Sequence, residues 1–150
     1  MLLSIREISK QDYYHGYMDV INAFTRNMRE VTHEDFCEKL DDIKNQGGII
    51  IVAVDDSNGS IVGTAKVLIE SKMHNNLGRM GHIEDVAVHP DMRRKNIGRL
   101  LISKCTQICD DNSCYKIVLS CKPDLQIFYE QTGFVQTGIA MTRYKEDERF

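Results

Sequence analysis

A chain of 150 residues, 42% hydrophobic and 27% charged, has the make-up of one ordinary globular domain and excludes a disordered or fibrous protein. The formal charge of −3 argues against a general polyanion binder, so nucleic acid is not an expected partner and any anionic ligand must meet a local cationic cluster. No stretch approaches the length of a membrane span, and Arg6, Glu7 and Lys10 interrupt any signal-like apolar run after Met1, so a cytoplasmic protein with no membrane partner is expected.

Leu3 to Ile8 alternates as a strand, and Lys10-Gln11-Asp12 opens a helix expected to run to about Phe24. Thr32 with Asp35 forms a capping-box pattern, and Phe36, Leu40 and Ile43 recur at helical spacing up to a stop at Gly47-Gly48. Ile49 to Val54 is a β-branched run, Asp56-Ser57-Asn58-Gly59 supplies a turn, and Ile61 to Ile69 returns, which together predict a hairpin. Gly78 and Gly81 are expected to bracket a loop. Ile83 to Val88 reads as a core strand ended by Pro90, and Ile97, Leu100, Leu101, Cys105 and Ile108 mark one face of a helix. Tyr115 to Cys121 reads as a strand, Pro123 opens a short helix through Phe128, Gly133 caps it, and Phe134 to Tyr144 is expected to finish as a last strand. This order predicts one α/β or α+β domain over residues 1–150, a mixed sheet with helices on its faces.

Five cysteines (Cys37, Cys105, Cys109, Cys114, Cys121) are an odd number without a CxxC pair, which suits reduced core thiols better than a zinc site, and no metal is expected. Cys121 has no histidine close in sequence, and its apolar neighbours predict a buried thiol rather than a nucleophile.

The segment from Val86 to Arg99 joins a core strand to a helix through a cationic, glycine-containing turn. The first turn of a helix has unpaired N–H groups and a positive dipole end, so amides from about Arg94 to Arg99 suit a pyrophosphate, with side-chain charge from Arg93, Arg94 and Lys95. On these residues alone a solvated basic turn over a surface helix is an equal reading.

The run Arg93-Arg94-Lys95-Asn96-Ile97-Gly98, placed after Val86-Ala87-Val88, resembles the acyl-coenzyme A motif of the GNAT acetyltransferase superfamily, Arg/Gln-x-x-Gly-x-Gly/Ala. Asn96 stands where that motif has glycine, and asparagine tolerates the left-handed conformation better than most residues. Three further segments, Gly81 to Val86, Cys114 to Leu119 and Phe128 to Phe134, resemble the glucosamine 6-phosphate acetyltransferases within that superfamily.

The resemblance implies a mostly antiparallel sheet with about four helices, splayed where acetyl-coenzyme A lies along the backbone of Val86, Ala87 and Val88. It implies a pyrophosphate held by Arg93, Arg94, Lys95, Asn96, Ile97, Gly98 and Arg99, and acetyl transfer directly to an amino sugar phosphate. Sugar contacts are implied at Glu84, Asp85 and the Val86 backbone, with Thr25, Lys72, His74, Tyr115 and Lys116 near the substrate. Glu84 and Tyr129 are implied as catalytic, Tyr129 at the leaving sulfur, and Arg143 as a phosphate contact made across a homodimer. Ser120 and Leu125 depart from the family's acidic residue and asparagine, so coenzyme contacts around Ser120 are expected to use backbone groups.

Adjacent residues of a regular strand point to opposite faces, so Glu84 and Asp85 can share one ligand only if the strand bulges. The nearest alternative is another GNAT enzyme acting on a polyamine, an aminoglycoside or a protein amine, and the alternative from another class is a non-catalytic acyl-coenzyme A-binding module. Tyr129 with the Glu84-Asp85 pair favours an enzyme, because a sensor needs only the pyrophosphate loop.

Overall fold

The structure is a computed structural model that describes residues 1–25 and 29–145. The chain divides into two units, Met1–Leu119 and Ser120–Phe150, and the first contains the sheet. Strands β1 (Leu3–Glu7), β2 (Gly48–Asp55), β3 (Ser60–Ser71), β4 (Arg79–Val88) and β5 (Cys114–Val118) lie side by side in chain order. All neighbours pair antiparallel except β4 and β5. A parallel pair needs a crossover, and helix α3 (Ile97–Asp111) supplies it. The architecture is thus the expected α/β mixed sheet.

The first helix is not continuous. A 3₁₀ helix, Lys10–His15, ends at Gly16, whose φ of 92° needs a glycine, and α1 (Tyr17–Phe24) starts anew from it. Asp12 holds this corner. Its buried carboxylate accepts two hydrogen bonds of 2.8 Å from Arg6 and one of 2.7 Å from the Ser9 amide. Helix α2 (His33–Asn45) begins as expected, with Thr32 Oγ1 accepting from the Asp35 amide at 3.1 Å and the Asp35 carboxylate accepting from the Thr32 amide.

Helix α3 buries Ile97, Leu101, Ile102, Cys105 and Cys109, while Leu100 is exposed, so the expected face through Leu100 and Ile108 is rotated. Two strand glycines explain the rotation. A Cβ at Gly63 would lie 3.1 Å from Ile97 and Leu101, and one at Gly81 would collide with Cys109 Sγ. Gly81 therefore belongs inside β4 and does not bound a loop; close helix packing requires it there.

Apolar residues cover both faces of the sheet. Ile50, Val52 and Val54 pack with Tyr17, Val20 and Phe36 on the α1/α2 side. The alternate residues Ile51 and Ala53, with Val67 and Ile83, turn to the side of α3.

The second unit contains a 3₁₀ helix, Pro123–Leu125, continued by α4 (Gln126–Glu130), with Gly133 left-handed at φ 99°. The expected strand from Phe134 to Tyr144 is absent, and residues 134–145 have no helix or strand. β propensity alone supplies no partner strand, and Val135, Ile139 and Met141 stay exposed. Strand β5 stops at Val118, so Cys121 lies beyond it and is exposed, contrary to the buried thiol expected. No helix among the described residues is long and apolar enough to cross a membrane.

Burial alone would push the Asp12 carboxyl up, but the hydrogen bonds from Arg6 and Ser9 and the charge of Arg6 outweigh it and hold the group below its ordinary value. A depressed folded pKa contributes stability above the unfolded value, and that contribution is lost as pH falls through the folded value. Asp12→Ala should cost about 1–3 kcal/mol at pH 7, below the fully buried case because Arg6 can rehydrate. Urea unfolding should show the gap between wild type and variant shrinking below about pH 4.

Candidate active site

The β3–β4 ladder breaks at one point. Lys66 pairs with Glu84 and Thr64 with Ala87, so Asp85 and Val86 together oppose Ala65 in a bulge. Asp85 takes the left-handed conformation, φ 54°. The extra residue reverses the facing of everything after it: Ile83 lies on the α3 side, yet Ala87, four residues on, joins the α1/α2 core. Glu84 shares the face of its ladder partner Lys66, and the Asp85 carboxylate reaches Lys66 Nζ at 3.2 Å. Both carboxylates therefore serve one face, which is the condition set by their adjacency.

The opposite edge of β4 opens nearby. Pairing with β5 ends at His82 and Val118, and β4 runs on to Val88 alongside β3 only. The edge of β4 beyond His82 is open because β5 ends at Val118, and Val86, Ala87 and Val88 lie along that edge. Beyond them the His89 amide donates to Val62 O at 2.8 Å, and a 3₁₀ helix, Pro90–Met92, leads into the cationic loop.

Arg93, Arg94, Lys95, Asn96 and Arg99 are exposed in that loop, whereas Ile97 is buried and anchors it. Arg94 and Asn96 are left-handed, φ 64° and 65°, the conformation that asparagine tolerates. The first intrahelical bond of α3 runs from the Leu100 amide to Asn96 O, 3.2 Å, so the Ile97 and Gly98 amides precede it at the positive end of the dipole. Left-handed turns, early helix amides and three consecutive cations suit a pyrophosphate.

At the other end of the β3–β4 pair, Lys72 Nζ donates to Glu70 at 2.6 Å and His82 Nε2 meets the other carboxylate oxygen at 2.7 Å. Hydrogen bonds from Lys72 and His82 hold the Glu70 carboxyl below its usual value. The His74 ring stands 6.3 Å from that of Tyr115, and Lys116 Nζ lies 5.9 Å from the same ring. Lys116 pairs with Met80, two residues from His82, so it shares the face of Glu84.

Thr25 caps α1 and lines a separate hollow of about 380 Å³ with Tyr13, Met18 and Asn22, to which neither β4 carboxylate contributes. Ser120, Tyr129 and Arg143 belong to the second unit. There Tyr129 is buried on α4 between Phe128 and Phe134, with ring centroids at 5.0 and 6.2 Å. Ser120 and Arg143 are exposed, Arg143 in the segment without regular structure.

Sequence reasoning missed Lys66, Glu70, His82 and Tyr17. The first two had a signal, because charges two or four residues apart on an otherwise apolar strand mark one face. Tyr17 reads as core, and burial, with the nearby Asp85 charge, pushes its hydroxyl up to about 12.

Residues 2–134 match the Acetyltransferase (GNAT) family, a span that includes both the bulged strand and α4. The chain belongs to the GNAT acetyltransferase family, whose members use acetyl-coenzyme A. It is 32% identical to the glucosamine 6-phosphate N-acetyltransferase of Arabidopsis thaliana, covering 93% of this chain and 95% of that one. It is 33% identical to glucosamine 6-phosphate N-acetyltransferase 1 of Dictyostelium discoideum, covering 95% and 90%. The crystal structure of the Arabidopsis enzyme superposes with a TM-score of 0.90 at 30% identity, covering 96% of this chain and 99% of that one.

Replacing Arg93 and Arg94 together by alanine should weaken acetyl-coenzyme A binding by about tenfold or more, since charge-assisted phosphate contacts are lost. Both side chains are exposed, so the melting temperature should hold. Calorimetric affinity equal to wild type would contradict the assignment.

Proposed function

We propose that this chain is a glucosamine 6-phosphate N-acetyltransferase, transferring acetyl from acetyl-coenzyme A to the sugar's 2-amino group to give N-acetylglucosamine 6-phosphate, a precursor of UDP-N-acetylglucosamine. The observation that carries the reading is the β4 bulge, which turns Glu84 and Asp85 to one face beside an open strand edge. The similarity to the Arabidopsis and Dictyostelium enzymes supports it.

Acetyl-coenzyme A supplies the activated acetyl group, and the chain binds, orients and polarises. The loop from Arg93 to Arg99 takes the pyrophosphate, and the backbone of Val86 to Val88 pairs with the pantetheine arm as an added strand. An amide at or beside Val86 donates to the carbonyl oxygen as negative charge develops on it. Glu84 receives the amino group, and direct attack needs no covalent enzyme intermediate. Lys72, His74, Tyr115 and Lys116 surround the sugar phosphate, with Arg143 supplied by the second copy of a homodimer. Exposed Val135, Ile139 and Met141 beside Arg143 suit a segment that pairs outside its own chain. The enzyme acts in the cytoplasm.

Thiol release from acetyl-coenzyme A should be much faster with glucosamine 6-phosphate than with glucosamine, spermidine, an aminoglycoside or a peptide amine. A preference for any of these others would overturn the substrate.

Tyr129 donates its hydroxyl to the departing sulfur, so Tyr129→Phe should keep acetyl-coenzyme A affinity and lose about 10²-fold in kcat and kcat/KM. The rival role is ring packing with Phe128 and Phe134. Turnover within about twofold of wild type, with chemistry rate-limiting, would leave packing as the residue's role.

A further inference from the structure

Two adjacent carboxylates on one face of a bulge raise the question of which meets the amine. Lys66 is the direct ladder partner of Glu84, yet its ammonium sits on Asp85, 3.2 Å from the carboxylate. The lysine side chain is only 26% exposed and the Asp85 side chain 51%, so the pair lies partly inside the face it serves. Lys66 shares that face with Thr64, two residues back, whose hydroxyl donates to Ile51 O at 2.9 Å. Tyr17 brings no positive charge to Asp85, and no other cation is paired with it among the described residues. Asp85 is also the left-handed residue of the bulge.

We propose that Lys66 is a positioning residue: it occupies the Asp85 carboxylate and leaves Glu84 as the carboxylate that receives the acceptor's amine. The inference rests on reading Glu84 and Asp85 as the acceptor end of the site. Lys66 also halves the negative charge of the pair. Two unneutralised carboxylates would hold the amine as ammonium, which has no lone pair to attack a thioester, whereas one leaves deprotonation easier. The lysine thus acts through Asp85 and on charge at the amine.

The test is a double-mutant cycle of Lys66→Met and Asp85→Asn, with Lys66→Arg as rescue. Lys66→Met should lower kcat/KM for the amine by about tenfold while the acetyl-coenzyme A dissociation constant stays within about twofold. Lys66→Arg should recover most of the loss, since it keeps the charge and the reach. In the Asp85→Asn background, Lys66→Met should add less than about twofold, because the two act as a unit. Three results would overturn the proposal: a Lys66→Met enzyme as active as wild type, a full tenfold loss in the Asp85→Asn background, or equal weakening of acetyl-coenzyme A. The wild-type acceptor is established first. No turnover of glucosamine 6-phosphate would remove the proposed substrate, and the same cycle run on whichever amine is turned over still tests Lys66.

Discussion

The single extra residue in β4 is the constraint on which the site depends. Antiparallel pairing with β3 consumes one edge of β4, and parallel pairing with β5 consumes the other as far as His82. Beyond that point the bulge at Asp85 and Val86 interrupts the first edge, and the end of β5 frees the second. A strand deep in a sheet thereby gains a short stretch of backbone able to meet a ligand. A left-handed aspartate costs on the order of 1–2 kcal/mol. A half-exposed ion pair returns at most about 1 kcal/mol, so Lys66 alone does not hold the bulge. The rest comes from burial of Ile83 on the α3 side and Ala87 on the α1/α2 side, which only a one-residue shift satisfies together.

Charge is segregated along the same strand and the loop that follows it. Two carboxylates stand at the bulge, and three consecutive cations begin five residues after Val88, in a chain whose formal charge is −3. A coenzyme with an anionic end and a neutral thioester end fits this order in one direction only. Lys66 moderates the acidic end, and Ile97, fully buried at the start of α3, fixes where the cationic end sits against the sheet. The glycines at 63 and 81 let α3 approach closely enough for that anchor to work.

Local signals made much of this legible in the sequence. The β2–β3 hairpin, the Thr32 cap and the short helix after Pro123 all follow from neighbouring residues, and all are present. What was not legible depends on partners distant in the chain. Gly81 carries a loop signal that contact with Cys109 overrides, and the buried face of α3 is indexed by strand glycines rather than by its own periodicity. Glu84 and Asp85 were visible as candidates, but their common facing depends on Ala65 opposing two residues. The residues after Phe134 predicted a strand that 134–145 do not form, because no partner strand is present among the described residues.

The central claim is that the open edge of β4 and the loop after it form one acyl-coenzyme A site. Amide chemical-shift mapping of 15N-labelled protein titrated with acetyl-coenzyme A tests it directly. Shifts should appear together, with one dissociation constant, at Asp85 to Val88 and at Arg93 to Arg99. Shifts confined to the loop, with the β4 amides unmoved at saturation, would contradict it.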